Sequence, residues 1–102
     1  MLSKEVKDII PVIQQYFTNK PIEYAYLFGS CSRGEETKDS DIDLLVRLIP
    51  SASVGLFEYV DMAMNLQDII GRKVDLVEED GVADFAKPYV NNDKIKIYER
   101  TH

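Results

Sequence analysis

The chain has one cysteine and one histidine among its 102 residues, and each scarcity closes off a class of chemistry. A lone thiol, Cys31, allows no internal disulfide and no cysteine-based zinc site, in keeping with a reducing compartment. The histidine is His102, the last residue, so no Cys/His nucleophile is suggested and Cys31 reads as a small turn residue. No run of about eighteen apolar residues occurs, and Met1 to Asp8 lack the basic-then-apolar order of a signal peptide. The expectation is a soluble cytoplasmic protein that does not enter a membrane. Basic patches are also missing. The net charge is −6, and the densest basic stretch, Lys94-Ile95-Lys96 with Arg100 beyond it, reads as a solvated edge, so direct nucleic-acid binding is not expected.

What is present is a globular composition, 45% hydrophobic, of a length that predicts one domain over residues 1–102. Val6, Ile9, Ile10, Ile13 and Phe17 recur at helical spacing over residues 3 to 18, with Ser3 as cap; Pro11 inside this pattern predicts a kink or a late start. Ile22 to Phe28 reads as a strand, with Tyr24, Tyr26 and Phe28 on one face, expected to pack in the core, and Ala25 and Leu27 on the other. Asp41 to about Leu48 reads as a second strand. Ser53 to Ile70 is the strongest helix, with a stripe of Leu56, Tyr59, Val60, Ala63, Leu66 and Ile70 and a Gly71 cap; Met62, Met64 and Ile69 fall off that stripe, as satellite core or as a partner surface. Lys73 to Glu78 predicts a third strand, Val82 to Asn91 a short helix containing Pro88, and Ile95 to Tyr98 a closing strand. The fold class is therefore α/β (α+β), a small mixed sheet of about four strands with helices packed on it.

The chemistry is concentrated in Phe28-Gly29-Ser30-Cys31-Ser32-Arg33-Gly34 and, after a polar turn, Ser40-Asp41-Ile42-Asp43-Leu44. Side chains alternate along a strand, so Asp41 and Asp43 are expected on one face, roughly 7 Å apart. Their mutual repulsion favours protonation of one of them unless a cation intervenes. Mg²⁺ suits such a pair, because it takes oxygen ligands and is commonly completed by substrate phosphates. Gly29 permits close approach of backbone to a phosphate, and a helical turn beginning at Ser30 would aim N–H groups and a hydroxyl at it. Asp75, in the middle of an apolar strand, is either an exposed edge residue or a third carboxylate of the same site. Arg33 either braces the turn against Glu35, Glu36 or Asp39 or reaches a phosphate. Ser40 reads as a residue that holds the turn, and Lys38 and Lys73 as exposed lysines near the site.

Gly29-Ser30, ten residues, then Asp41-x-Asp43 resembles the signature of the polymerase-beta-type nucleotidyltransferase superfamily. With Arg33-Gly34 and Ser40 included, it resembles its minimal nucleotidyltransferases (MNT), small proteins many of which are antitoxins paired with HEPN-domain toxins. The resemblance implies the polymerase-beta-type fold and transfer of AMP from ATP to a hydroxyl. It implies two Mg²⁺ ions on Asp41 and Asp43, with Asp75 holding the one that activates the acceptor and accepting its proton, while Gly29, Ser30 and Arg33 serve the nucleotide. It further implies a HEPN toxin as partner and a tyrosine of that toxin as acceptor. Two other readings stand beside it: an antitoxin that neutralises by binding alone, and the catalytic subunit of a small-molecule nucleotidyltransferase.

Overall fold

The computed structural model describes residues 2–35, 37, 40–79 and 94–101. Helix α1 spans Lys4–Phe17. Ser3 caps it, its Oγ accepting from the Val6 N–H at 3.2 Å, and Thr18 Oγ1 donates to the Gln14 carbonyl at 2.9 Å in the last turn. Pro11 lies within the helix without delaying its start, contrary to one of the two expectations for it. An internal proline costs about 3 kcal/mol. Full burial of Val6, Ile13 and Phe17, worth roughly 1.5–3 kcal/mol each, exceeds that cost.

Strand β1 is Ile22–Phe28, followed by the short helix α2, Ser30–Arg33, and strand β2, Ile42–Leu48. Helix α3, Leu56–Ile70, carries the chain across to strand β3, Val74–Glu78, and strand β4 is Ile95–Glu99. The sheet order is β3-β2-β1-β4. β1 runs antiparallel to both β2 and β4, whereas β2 and β3 are parallel and need the α3 crossover. This is the four-stranded mixed sheet expected from the sequence. The helix expected at Val82 to Asn91 lies outside the described residues, and among those described no helix is long and apolar enough to cross a membrane.

The core lies between α1, α3 and one face of the sheet. Ile13, Phe17, Met62 and Leu66 from the helices meet Ala25, Leu27, Ile42, Leu44, Val46, Val74, Leu76 and Ile97 from the strands. The aromatic face of β1 is therefore the other one, which corrects the sequence expectation. Tyr24, Tyr26 and Phe28 are half-buried; Tyr24 and Tyr26 meet edge to face at 5.6 Å, and Lys94 Nζ lies 4.4 Å over the Tyr26 ring. The helices already bring bulky side chains, so the strand face beneath them is aliphatic or small, and phenol hydroxyls gain polar partners on the far side.

The α3 stripe is also rotated from the expected one. Met62 is 2% exposed, while Leu56 and Val60 are 74% and 43% exposed. The inward face follows Tyr59, Met62 and Leu66 at i, i+3 and i+7, which turns Phe57, Val60 and Met64 outward. Apolar residues occur all round this helix, so its periodicity did not single out one face. The helix begins at Leu56 rather than Ser53 and ends at Gly71, whose φ of +78° gives the left-handed cap expected there.

Candidate active site

The turn from β1 into α2 is built on Gly29. Its φ is +76°, and a Cβ placed on it would fall 2.4 Å from Asp43 Oδ2. Only glycine satisfies both conditions without moving the carboxylate. Beyond it, Ser32 Oγ donates to the Gly29 carbonyl at 2.7 Å, Glu35 N–H donates to the Ser30 carbonyl at 2.9 Å, and Gly34 reverses the chain at a φ of +73°. Ser30 thus opens a helical turn, as the sequence led us to expect. Cys31 is fully buried, and its thiol donates to the Asp41 carbonyl at 3.4 Å, so it joins the α2 turn to the carboxylate segment from below.

Three strands bring the carboxylates to one end of the sheet. Phe28 pairs with Asp43 across β1 and β2, and Asp43 pairs with Asp75 across β2 and β3, so Asp43 and Asp75 share the face away from the helices. Asp41 lies one residue before β2 and outside the ladder, whose first pair is Ile42 with Val74. The sequence expectation of a strand that includes Asp41 is corrected to that extent. Among the described residues, no group of three His, Cys, Asp or Glu side chains is gathered so as to hold a metal ion by itself.

Electrostatics nonetheless marks this end of the sheet. Burial first, and then the nearby charges of Asp75 and Asp41, together push the Asp43 carboxyl up from 3.8 to about 6, with Arg33 opposing them. A carboxylate with two acidic neighbours and a glycine backbone pressed against it suits a cation whose remaining ligands come from water and substrate. Arg33 is ion-paired with Glu35, the bracing contact among the two roles weighed for it. Lys73 Nζ is 3.9 Å from Asp41 Oδ2 on an exposed side chain, in keeping with its reading as an exposed lysine near the site. Ser40 holds the turn as expected: its Oγ accepts from the Thr37 N–H at 2.8 Å.

Three supporting residues escaped the sequence reading. Tyr59 donates its hydroxyl to the Leu76 carbonyl at 2.6 Å, Gln67 Oε1 accepts from the Val74 N–H at 3.1 Å, and Arg72 binds the carbonyls of Thr37 and Ser40 at 2.9 and 2.6 Å. Together they lock both ends of α3 and the turn before Asp41 to the strand that carries Asp75. The available signal was Gly71-Arg72-Lys73 directly ahead of that strand, a run in which the arginine is one residue removed from the β ladder.

Residues 8–102 match the family described as polymerase beta, nucleotidyltransferase. The chain belongs to this family. Among relatives, this nucleotidyltransferase is 30% identical over 95 residues to MJ1379 of Methanocaldococcus jannaschii, provisionally named a protein adenylyltransferase, with 91% of this chain and 95% of that one covered. Two solved structures share its fold. One is a toxin-antitoxin with AMP-PNP, at a TM-score of 0.74 and 21% identity, covering 90% of this chain and 74% of that one. The other is a tri-AMPylated HEPN toxin of Shewanella oneidensis in complex with an MNT antitoxin, at a TM-score of 0.69 and 18% identity, covering 93% of this chain and 73% of the matched chain.

Proposed function

We propose that this nucleotidyltransferase moves AMP from ATP onto a tyrosine hydroxyl of a HEPN-domain toxin and thereby acts as its antitoxin. The observation that carries the proposal is the meeting of Gly29 with Asp43, whose Oδ2 would lie 2.4 Å from a Cβ at that glycine, on a strand whose register sets Asp43 beside Asp75. A phosphate-approach turn and a carboxylate pair occupy one end of one sheet. The relatives' names and complexes supply the acceptor class.

In this reading the acceptor oxygen forms a bond to the α-phosphorus of ATP, the bond from that phosphorus to the bridging oxygen breaks, and pyrophosphate leaves. The tyrosine proton passes to Asp75, which is exposed and able to receive it. Ser30 and the backbone after Gly29 would bind the β- and γ-phosphates, and Arg33 would exchange Glu35 for a phosphate oxygen. Asp41, Asp43 and Asp75 would hold Mg²⁺, two ions in all, and the metal would supply charge neutralisation between the attacking and leaving oxygens. The added phosphate places negative charge on the toxin, which opposes its binding of an RNA backbone.

The test is intact mass spectrometry of the HEPN partner after incubation with this protein, ATP and Mg²⁺, alongside the Asp41→Ala, Asp43→Ala double variant. One or more AMP units added by the native protein and none by the variant is the expected result. A partner that gains no mass, yet is silenced equally by both proteins, would replace transfer with neutralisation by binding.

A further inference from the structure

Asp43 and Asp75 are fixed by ladder register, but Asp41 is not. Something else must set its position, and the geometry points to Arg72 as the positioning residue for Asp41. Its Nη2 donates to the Ser40 carbonyl, the peptide bond that leads into Asp41, at 2.6 Å, and to the Thr37 carbonyl at 2.9 Å. Its Nη1 is ion-paired with Glu5 of α1 at 3.3 Å. The side chain is only 10% exposed, and among the described residues its buried Nε has no hydrogen-bond partner.

A surface arginine serving solubility would not be buried, and burying a guanidinium costs about 1–3 kcal/mol for each donor left unpaired. The planar fork of the guanidinium explains the compromise. It reaches two carbonyls of one tight turn at once, which a lysine ammonium does less well. Arg72 is also two residues before β3, and the Lys73 carbonyl accepts the Ile42 N–H at 2.9 Å. The residues flanking Asp41 are thus both tied to the segment Arg72–Lys73, which continues directly into the strand of Asp75. One short stretch therefore ties Asp41 on both sides to the strand of Asp75, while the Cys31 thiol holds the Asp41 carbonyl from α2.

The inference rests on the proposed role of Asp41 as a metal ligand, and the experiment separates the two. Mn²⁺ binding is followed by electron paramagnetic resonance in the full chain without ATP, for the native protein and for Arg72→Met, Arg72→Lys, Glu5→Gln and Asp41→Ala. Arg72→Met is expected to weaken Mn²⁺ binding about tenfold or more, as loss of groups that orient metal ligands commonly does. Arg72→Lys should fall between it and the native protein, and Glu5→Gln, which removes only the ion pair, should bind as the native protein does. Backbone amide exchange in the metal-free Arg72→Met protein should accelerate at Ser40 and Ile42 while α1 and β1 keep their protection. With ATP, kcat should drop more than KM rises.

If Arg72→Met does not fold, Arg72→Lys decides by the same two readings. Native Mn²⁺ affinity and native exchange at Ser40 and Ile42 in a folded Arg72 variant, with only the melting temperature lowered, would reduce Arg72 to a brace of the fold and overturn the inference, while the Asp41→Ala loss would leave the metal reading intact. Native Mn²⁺ binding by Asp41→Ala would overturn both.

Discussion

Asp43 and Asp75 stand opposite each other across the parallel pair of β2 and β3, and burial, aided by the closeness of their charges, holds the Asp43 carboxyl up at about 6. Such an arrangement stores repulsion in the metal-free protein. Asp43→Asn keeps the shape and removes one charge. We expect metal-free Asp43→Asn to melt a few degrees higher than the native protein, on the order of 2–5 °C, while AMP transfer falls by about a hundredfold or more. Calorimetry and a transfer assay on the same preparations check this. An unchanged or lower melting temperature would remove the repulsion from the account.

The same carboxyl gives a pH dependence with a definite sign. Its folded value, about 6, lies above the ordinary 3.8, so the folded chain holds this proton more tightly than the unfolded one. Its contribution to stability is complete below pH 3.8 and is lost as pH rises through about 6. A divalent cation replaces the proton and benefits most where the proton is gone. The rise in melting temperature on adding Mg²⁺ should therefore be larger at pH 7.5 than at pH 5. Equal rises at both pH values would contradict it.

Gly29→Ala should be damaging twice over. The φ of +76° costs a residue with a Cβ about 1–2 kcal/mol, and the added methyl sits 2.4 Å from Asp43 Oδ2, so the carboxylate must move. Thermal unfolding should register the first effect and Mn²⁺ affinity the second. Gly71→Ala is the comparison: its φ is +78°, with nothing within 4 Å of the new Cβ, so stability falls and metal affinity does not.

Two tyrosines should titrate late. Burial, aided by Glu79 for Tyr24 and by Glu78 and Asp75 for Tyr59, pushes both phenols up to about 12 from 10.0. The folded state keeps these protons when the unfolded state has released them. The resulting stability is present below pH 10 and declines as pH rises toward 12. Absorbance at the phenolate band should show a late-ionising component that is reduced in Tyr24→Phe and reduced likewise in Tyr59→Phe. A phenolate transition whose late part is unchanged by both substitutions would refute the assignment.

Where sequence and structure agree, the reason is local. Gly29, Asp43 and Asp75 were legible because a glycine turn after a strand and an aspartate inside an apolar strand are anomalies that local chemistry has to explain. Ser3 and Gly71 were legible for the same reason: a cap depends on one residue's own conformation. The faces of β1 and α3 were not. Both carry large apolar groups on more than one side, so which side is buried depends on what the partner layer already contains, and Phe17, Met62 and Leu66 leave room for Ala25 and not for Tyr24 or Tyr26. Arg72 was hidden because its partners, Thr37, Ser40 and Glu5, are distant in sequence and are mostly backbone carbonyls, which no side-chain pattern reveals.

Transfer of a nucleotidyl group to a HEPN partner can be followed with ATP labelled at either the α- or the γ-phosphorus. The α label should appear on a tyrosine of the partner while the γ label leaves as pyrophosphate, and Asp43→Asn should reduce both by about a hundredfold or more. The γ label on the partner would make the reaction phosphorylation, and no label on a partner that is still neutralised would make the protein a binding antitoxin; either result contradicts the account.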